Sequence, residues 1–282
     1  MKKVLLNGKM VHPIGIGTWH MGDHVSTRDK EIGAIRMAID SGANVIDTAE
    51  MYGSGNAESL VGSAIKGYDR DNLFIISKFY PQNGQEPHLS KALTNSLSRL
   101  SVDYLDMYLL HWRGNIPLEK TVYDLENLVA KGLIRSWGVS NFDTADLRML
   151  YGIPNGSSCA ANENLYNMVS RGIEYDLLPF QTKLNLPLIA YAPIDQGDSR
   201  GANITQNNIL RSIAEKRNVT IYQIMLAWVI RNGSTIAIPQ SSNEKHVYEN
   251  IVSATIKLTA EELMLIDSIY PPPRSKQSLD II

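Results

Sequence analysis

Four apolar runs in this chain end in polar residues able to do chemistry. Asn44-Val45-Ile46 leads into Asp47, and Leu73 to Ser77 leads into Lys78. Tyr104 to Leu110 leads into His111, and Ile134 to Val139 into Ser140-Asn141. Successive polar ends lie about 30 residues apart, the length of a strand, a loop and a crossover helix. That spacing places them at the same end of successive parallel strands, where a (β/α) barrel keeps its active site. Taken alone, Asp47 reads as a capping or loop aspartate, and His111 as a satisfied core histidine. Lys78 differs, because a lysine at the mouth of a buried strand needs a partner. Asp47, on the neighbouring strand, can be that partner. Tyr52 follows Asp47 in a loop with Gly53 and Gly55. A tyrosine titrating near pH 10 is a poor acid at neutral pH. An ammonium beside it favours tyrosinate and is expected to depress that pKa. The set then amounts to a tunable proton donor beside a histidine that can hydrogen-bond a carbonyl oxygen. It lacks an electron source, which a hydride-carrying cofactor would supply.

The elements that must hold these residues follow from turn chemistry and periodicity. Asn7-Gly8 between two short apolar runs signals a hairpin of 3–6 with 9–12. Barrel strands are expected at 14–18, 43–47, 73–78, 105–110, 134–139, 158–162, 187–191 and 235–238. Helices are expected at about 28–41, 56–66, 88–99, 119–131, 143–150, 172–185, 206–217, 220–232, 243–254 and 259–269. Thr259 with Glu262 has capping-box spacing. The fold class is therefore α/β, a (β/α)8 TIM barrel over 1–282 as one domain. The hairpin lies in 1–13, and extra helices follow strand seven and close the C-terminal end. The tail 271–282 begins at Pro271-Pro272-Pro273, and its polar end reads as mobile or as folded over the pocket.

Composition narrows the partners. The chain has 282 residues, a net charge of −2 and 44% hydrophobic residues. That is enough apolar content for a sizeable core, with no basic footprint for nucleic acid. No apolar run is long enough to span a membrane, and the N-terminal run is too short for a signal-peptide core. The single Cys159 excludes an intrachain disulfide and reads as a small core hydrophobe. A cytoplasmic location is the simplest expectation.

Along almost its whole length the chain resembles the aldo-keto reductases. The resemblance rests on Gly15-Ile16-Gly17-Thr18-Trp19, on Asn44 to Glu58, and on Ser77-Lys78. It continues through His111-Trp112, Gly138-Val139-Ser140-Asn141-Phe142, Arg171 to Glu174, and Ala190-Tyr191-Ala192-Pro193. It implies NAD(P)H-dependent reduction of aldehyde or ketone carbonyls, reversible to alcohol oxidation. Tyr52 would be the general acid, tuned by Lys78 and Asp47, with His111 orienting the substrate oxygen. Ser140 and Asn141 would bind the nicotinamide carboxamide, and Tyr191 would stack on its ring. No Gly-x-Gly-x-x-Gly follows the first strand, and this family does not bind its cofactor on a Rossmann unit.

Two departures bear on the cofactor. The family usually ends strand six with Asn-Gln, whereas here Asn162 is followed by Glu163, and a carboxylate accepts but does not donate. After strand eight, Gln240 and His246 stand where the resemblance expects a Lys and an Arg for the 2′-phosphate of NADP. Ser241, Asn243 and Asn250 remain as donors, and Lys245 can supply one charge. The cofactor is expected to be NADP(H), with NAD(H) as the alternative and weak discrimination between them.

Trp19, Phe79 and Trp112 are expected to line an apolar substrate pocket. Arg113 reads as a solvated loop residue or as a contact for an acidic substrate. His20, His24 and Asp23 read as a loop at the barrel mouth, with no metal. Asp195 and Asp198 fall in a polar loop over the cofactor, where Arg200 is a candidate for its pyrophosphate. The partner is a small-molecule carbonyl substrate, without nucleic acid or membrane, and the chain is expected to be a monomer or weak oligomer. A second reading is a cofactor-sensing regulatory subunit with little turnover. Such a subunit would carry a long N-terminal extension, and only 13 residues precede strand one, which favours the free-standing enzyme.

Overall fold

A computed structural model describes residues 2–196 and 204–282. The hairpin strands β1 (Val4–Leu6) and β2 (Lys9–Val11) pair antiparallel about Asn7-Gly8. Both turn residues have positive φ, as a two-residue hairpin turn of primed type requires. The barrel follows: β3 (Ile16–Gly17), β4 (Val45–Asp47), β5 (Phe74–Phe79), β6 (Met107–Leu110), β7 (Trp137–Ser140), β8 (Asn162–Leu165) and β9 (Leu188–Tyr191). A short strand β10 (Pro193–Gln196) precedes β11 (Thr235–Ala237). Strands β3 to β9 and β11 are parallel and adjacent in chain order, and an Ile14–Ala237 bridge joins the two ends.

The helices are α1 (Arg28–Asp40), α2 (Asn56–Ala64), α3 (His88–Leu100), α4 (Leu118–Ala130), α5 (Thr144–Tyr151) and α6 (Leu177–Leu184). They continue with α7 (Asn208–Arg217), α8 (Ile221–Val229), α9 (Glu244–Val252) and α10 (Ala260–Ile269). Thr259 and Glu262 make the expected capping box at α10. None of these helices is long and apolar enough to cross a membrane.

The strands sort their side chains by alternation. Inside the barrel, Val45, Phe74, Ile76, Met107, Leu109, Ala161, Ile189 and Ile236 form one apolar cluster. Val4, Leu6 and Val11 of the hairpin join it and plug the lower end. The intervening residues, such as Ile46, Ile75, Tyr108 and Leu188, pack outward against the helices. Since the strand period is two, the next inward positions above the plug are Asp47, Lys78, His111, Glu163 and Tyr191. The chemistry-bearing layer is therefore the continuation of the apolar one.

Two expected elements are displaced. Strand six was expected at 158–162 but is β8 at Asn162–Leu165, after a 3-10 turn at Gly156–Ser158. The run Ser-Cys-Ala-Ala reads as the buried strand. The ladder instead extends into polar Asn162-Glu163-Asn164, whose two amide NH2 groups donate to the Phe142 carbonyl while both Oδ1 atoms are buried without a partner. The expected helix 172–185 divides into a 3-10 turn at Gly172–Glu174 and α6. Asp198 and Arg200 lie outside the described residues.

Candidate active site

Lys78 is fully buried on β5, and its three N–H bonds each find a partner. Nζ donates to Asp47 Oδ1 at 2.5 Å, to Tyr52 Oη at 3.1 Å and to the Thr48 carbonyl at 3.2 Å. Because Tyr52 Oη accepts from Lys78, its own O–H is free to donate elsewhere. The Tyr52 loop is shaped by left-handed backbone at Gly53, Ser54 and Gly55. At Gly55 a Cβ would also run into the Arg99 side chain at 2.5 Å. Arg99 is held there by Glu58 at 2.6 Å, and Glu58 accepts from Ser77 Oγ at 2.6 Å. This buried acid ties the start of α2 to β5, and so ties the Tyr52 loop to the strand carrying Lys78.

His111 sits edge-on to Tyr52, with ring centroids 5.8 Å apart. Burial, with the Lys78 charge in addition, pushes its pKa down to about 3. It is a neutral imidazole at physiological pH, with one N–H to donate. Burial works to lower the Lys78 pKa, but Asp47, Glu163 and Tyr52 outweigh it and hold the side chain as ammonium. Tyr52 departs from expectation. Burial raises its pKa above the ordinary value, and Lys78 only offsets part of the rise, while Asp47 and Glu163 add to it. The ammonium lowers the pKa relative to a buried tyrosine alone, not relative to a tyrosine in water.

These groups open into a cavity of about 820 Å³ whose wall includes Gly17, Trp19, Asp47, Tyr52, His111, Trp112, Ser140, Asn141, Glu163, Tyr191 and Gln240. Ser140 on β7 faces Glu163 on β8 across the ladder. Asn141 adopts left-handed backbone, which asparagine tolerates. Its amide donates to the His111 carbonyl at 3.1 Å and accepts from Tyr191 Oη at 2.8 Å. One amide thus couples the histidine loop to the aromatic ring at the end of β9. Glu163 Oε2 is buried at the wall with no hydrogen-bond partner. An orphan carboxyl oxygen beside Ser140, Asn141 and the Tyr191 ring fits a group with a flat ring and a carboxamide.

A model of the aldo/keto reductase family matches residues 13–271. The chain belongs to the aldo/keto reductase family. It is 42% identical to methylglyoxal reductase YeaE of Escherichia coli (strain K12), over 100% of this chain and 99% of that relative. It is 32% identical to glyoxal reductase of Bacillus subtilis (strain 168), over 96% of this chain and 93% of that one. Its fold superposes on an aldo/keto reductase from Klebsiella pneumoniae, solved in complex with NADP and acetate. The TM-score is 0.98 and the identity 46%, covering 100% of this chain and 99% of that one.

In this aldo/keto reductase, an oxidoreductase acting on carbonyl groups, the two ends of the cavity differ. Trp19 and Trp112 line the mouth and are about one-third exposed. Phe79, expected beside them, is fully buried and packs on Tyr108 with centroids 4.8 Å apart. The reason is alternation: Lys78 points into the barrel, so the next residue points out to the helices. Beyond the other end, Gln240 borders the cavity. Ser241, Asn243, His246 and Asn250 stand off that wall, around the start of α9. Asn243 caps the helix, its Oδ1 accepting from the Lys245 and His246 N–H groups. His246 is exposed, and Asn250 is buried one turn further along.

Several wall residues carry no strong sequence signal. Ile281 and Ile282 line the cavity because the tail crosses its mouth. Lys276 holds that tail, 3.0 Å from Asp176 and 3.5 Å from Asp143. Two isoleucines at the end of a polar tail are the only trace of this. Asn162 and Asn164 both donate to the Phe142 carbonyl, at 3.0 and 3.2 Å, and brace the loop carrying Asn141. His20 pairs with Asp23 at 3.1 Å at the rim, and Arg113 donates to the Gly114 and Ile116 carbonyls. Cys159 is buried, and burial pushes its thiol up to about 12, so it is inert.

Proposed function

We propose that this protein reduces small aldehydes and α-dicarbonyls to alcohols with NADP(H), Tyr52 serving as the general acid. The observation that carries the reading is the free O–H of Tyr52 at the cavity wall, its oxygen 3.1 Å from a lysine that is itself 2.5 Å from a buried aspartate. The relatives named for methylglyoxal and glyoxal support the substrate class, and the neighbour bound to NADP supports the cofactor.

Each residue has a distinct task. Ser140, Asn141 and Glu163 would hold the carboxamide, and Tyr191 would meet the nicotinamide. When bound, the nicotinamide supplies the hydride. His111, neutral, donates its N–H to the substrate oxygen and orients the carbonyl. Tyr52 Oη delivers its proton to that same oxygen as negative charge develops there. Lys78 stays charged and stabilises the tyrosinate left behind, and Asp47 fixes Lys78. Trp19, Trp112, Ile281 and Ile282 present an apolar rim that keeps water from the reacting carbon. Gln240, with Ser241, Asn243 and His246 near the start of α9, would hold the adenosine phosphate end.

The test is NADPH consumption by the purified protein with methylglyoxal, glyoxal and simple aldehydes. Steady turnover on the dicarbonyls is expected. Tight NADPH binding with no turnover on any carbonyl would favour a regulatory subunit instead.

A further inference from the structure

We propose that Asp47 and Glu163 share one proton, and that Glu163 is thereby a positioning residue that sets the net charge felt by Tyr52. The inference rests on the reductase reading for its kinetic consequence, but its structural basis is independent of it.

Two carboxyls and one ammonium are packed together at the top of the barrel, all three at most 2% exposed. Were both acids ionised, the cluster would hold an uncompensated buried negative charge, which is strongly disfavoured. The hydrogen bonds point the same way. Lys78 has three donors, and Asp47, Tyr52 and Thr48 take all of them. Glu163 Oε1 stands at 3.4 Å from Lys78 Nζ, with no donor left for it. Asp47 Oδ2 and Glu163 Oε2 are each buried without a partner. Both carboxyls stand on the one ammonium, Asp47 Oδ1 at 2.5 Å and Glu163 Oε1 at 3.4 Å from Nζ, which brings them together. A proton held between them satisfies both orphan oxygens at once. The shorter contact to Lys78 assigns the charge to Asp47 and the proton chiefly to Glu163.

Among the described residues, the groups facing Glu163 include no cation besides Lys78. They are Asp47 from β4, Tyr52 from the following loop, Lys78 from β5, His111 beyond β6, Ser140 and Asn141 at β7, and Tyr191 from β9. The tail adds another negative group, Asp280, acting on Tyr191. Burial first, and then the Asp47 charge, drive the Glu163 carboxyl well above the usual range, which agrees with the geometry.

Three consequences follow. With the proton in place the cluster is neutral overall, and Lys78 can stabilise the tyrosinate. Without it, a second negative charge opposes tyrosinate formation, and Tyr52 becomes a weaker acid. With its one proton engaged by Asp47, Glu163 meets the carboxamide as an acceptor from the NH2 group. The proton delivered to substrate still comes from Tyr52 and is replaced from solvent, so the shared proton is conserved through turnover.

Two measurements test this. The first is infrared spectroscopy of the cofactor-free protein at neutral pH. The wild type should show a protonated-carboxyl C=O band that Glu163→Gln removes and Asp47→Asn shifts. A wild-type protein without such a band overturns the shared proton, even if Glu163→Gln does not fold. The second is the pH dependence of kcat/KM for reduction. Glu163→Gln is neutral at every pH, so its alkaline limb should move up by about one pH unit or more. Superimposable wild-type and variant limbs overturn the link to Tyr52. Absence of NADPH-dependent turnover in the wild type would refute the reductase reading alone, since the band is read without cofactor.

Discussion

Tyr52 Oη accepts a hydrogen bond from Lys78 Nζ at 3.1 Å, although one residue lies in a left-handed loop after β4 and the other near the end of the β5 ladder. The relationship leaves the tyrosine proton pointing at the cavity and its oxygen stabilised from behind. Tyr52→Phe keeps the ring and removes only the donor. Reduction should fall by roughly 10²–10⁴-fold, with NADPH affinity almost unchanged by fluorescence titration. A variant keeping more than about a tenth of the wild-type turnover would show that another group is the acid.

Lys78→Met tests the support of that oxygen. The variant leaves Asp47 buried without its ammonium, and truncating one member of a buried pair costs about 3–5 kcal/mol. Turnover and thermal midpoint should therefore both drop, and the pH profile of any residual activity should change shape. Asp47→Asn should be milder in rate, because it loosens the lysine without removing the charge. A Lys78→Met profile that overlays the wild type would break the coupling.

Discrimination between cofactors is expected to be weak. Gln240 borders the cavity at the position where the family resemblance expects a lysine, and Lys245 is largely exposed, 3.8 Å from Glu249. The NADPH-to-NADH affinity ratio should lie well below about a hundredfold, or roughly 2.7 kcal/mol. Gln240→Lys should raise it by restoring a charge at the phosphate. Titrating both cofactors against both proteins decides the matter. A wild-type ratio above a hundredfold would locate the phosphate on some other cation.

Acid stability should report on His111. Its folded-state pKa of about 3 lies below that of a histidine in the unfolded chain. Between roughly pH 6.5 and that value the unfolded chain binds a proton that the native state refuses. Stability is therefore lost as pH falls through this window, by up to about 1.4 kcal/mol per pH unit from this group. Glu163 acts in the opposite sense, since its raised pKa contributes stability that disappears as pH rises through it. His111→Asn should flatten the acid side of urea-unfolding midpoints measured from pH 7 to pH 4. Equal slopes for the two proteins would mean that His111 is protonated in the folded state.

The amino-acid sequence by itself determined the barrel and the polar residues that stand at its strand ends. Strand period and repeat length act locally along the chain, and they already place Asp47, Lys78 and His111 at equivalent strand ends. Tyr52 and Tyr191 were legible through the motifs around them. Phe79 was not, because a residue one step beyond an inward lysine changes face, and only the ladder register reveals which step that is. The start of β8 was hidden by an apolar run that mimics a strand, while the true strand is polar. Packing alone closed the tail over the cavity with Ile281 and Ile282, braced the Asn141 loop with Asn162 and Asn164, and tied the Tyr52 loop to β5 through Glu58 and Arg99. The electrostatics likewise belong to the tertiary structure. Lys78 does not lower the Tyr52 pKa below that of a free tyrosine, because burial is the larger effect. Glu163 reads in the sequence as a carboxylate unable to donate. Burial, and then the Asp47 charge, raise its carboxyl's pKa and favour the neutral form against the pull of Lys78. Desolvation and the distances between charges depend on residues far apart in the chain, so they exist only once the barrel has closed.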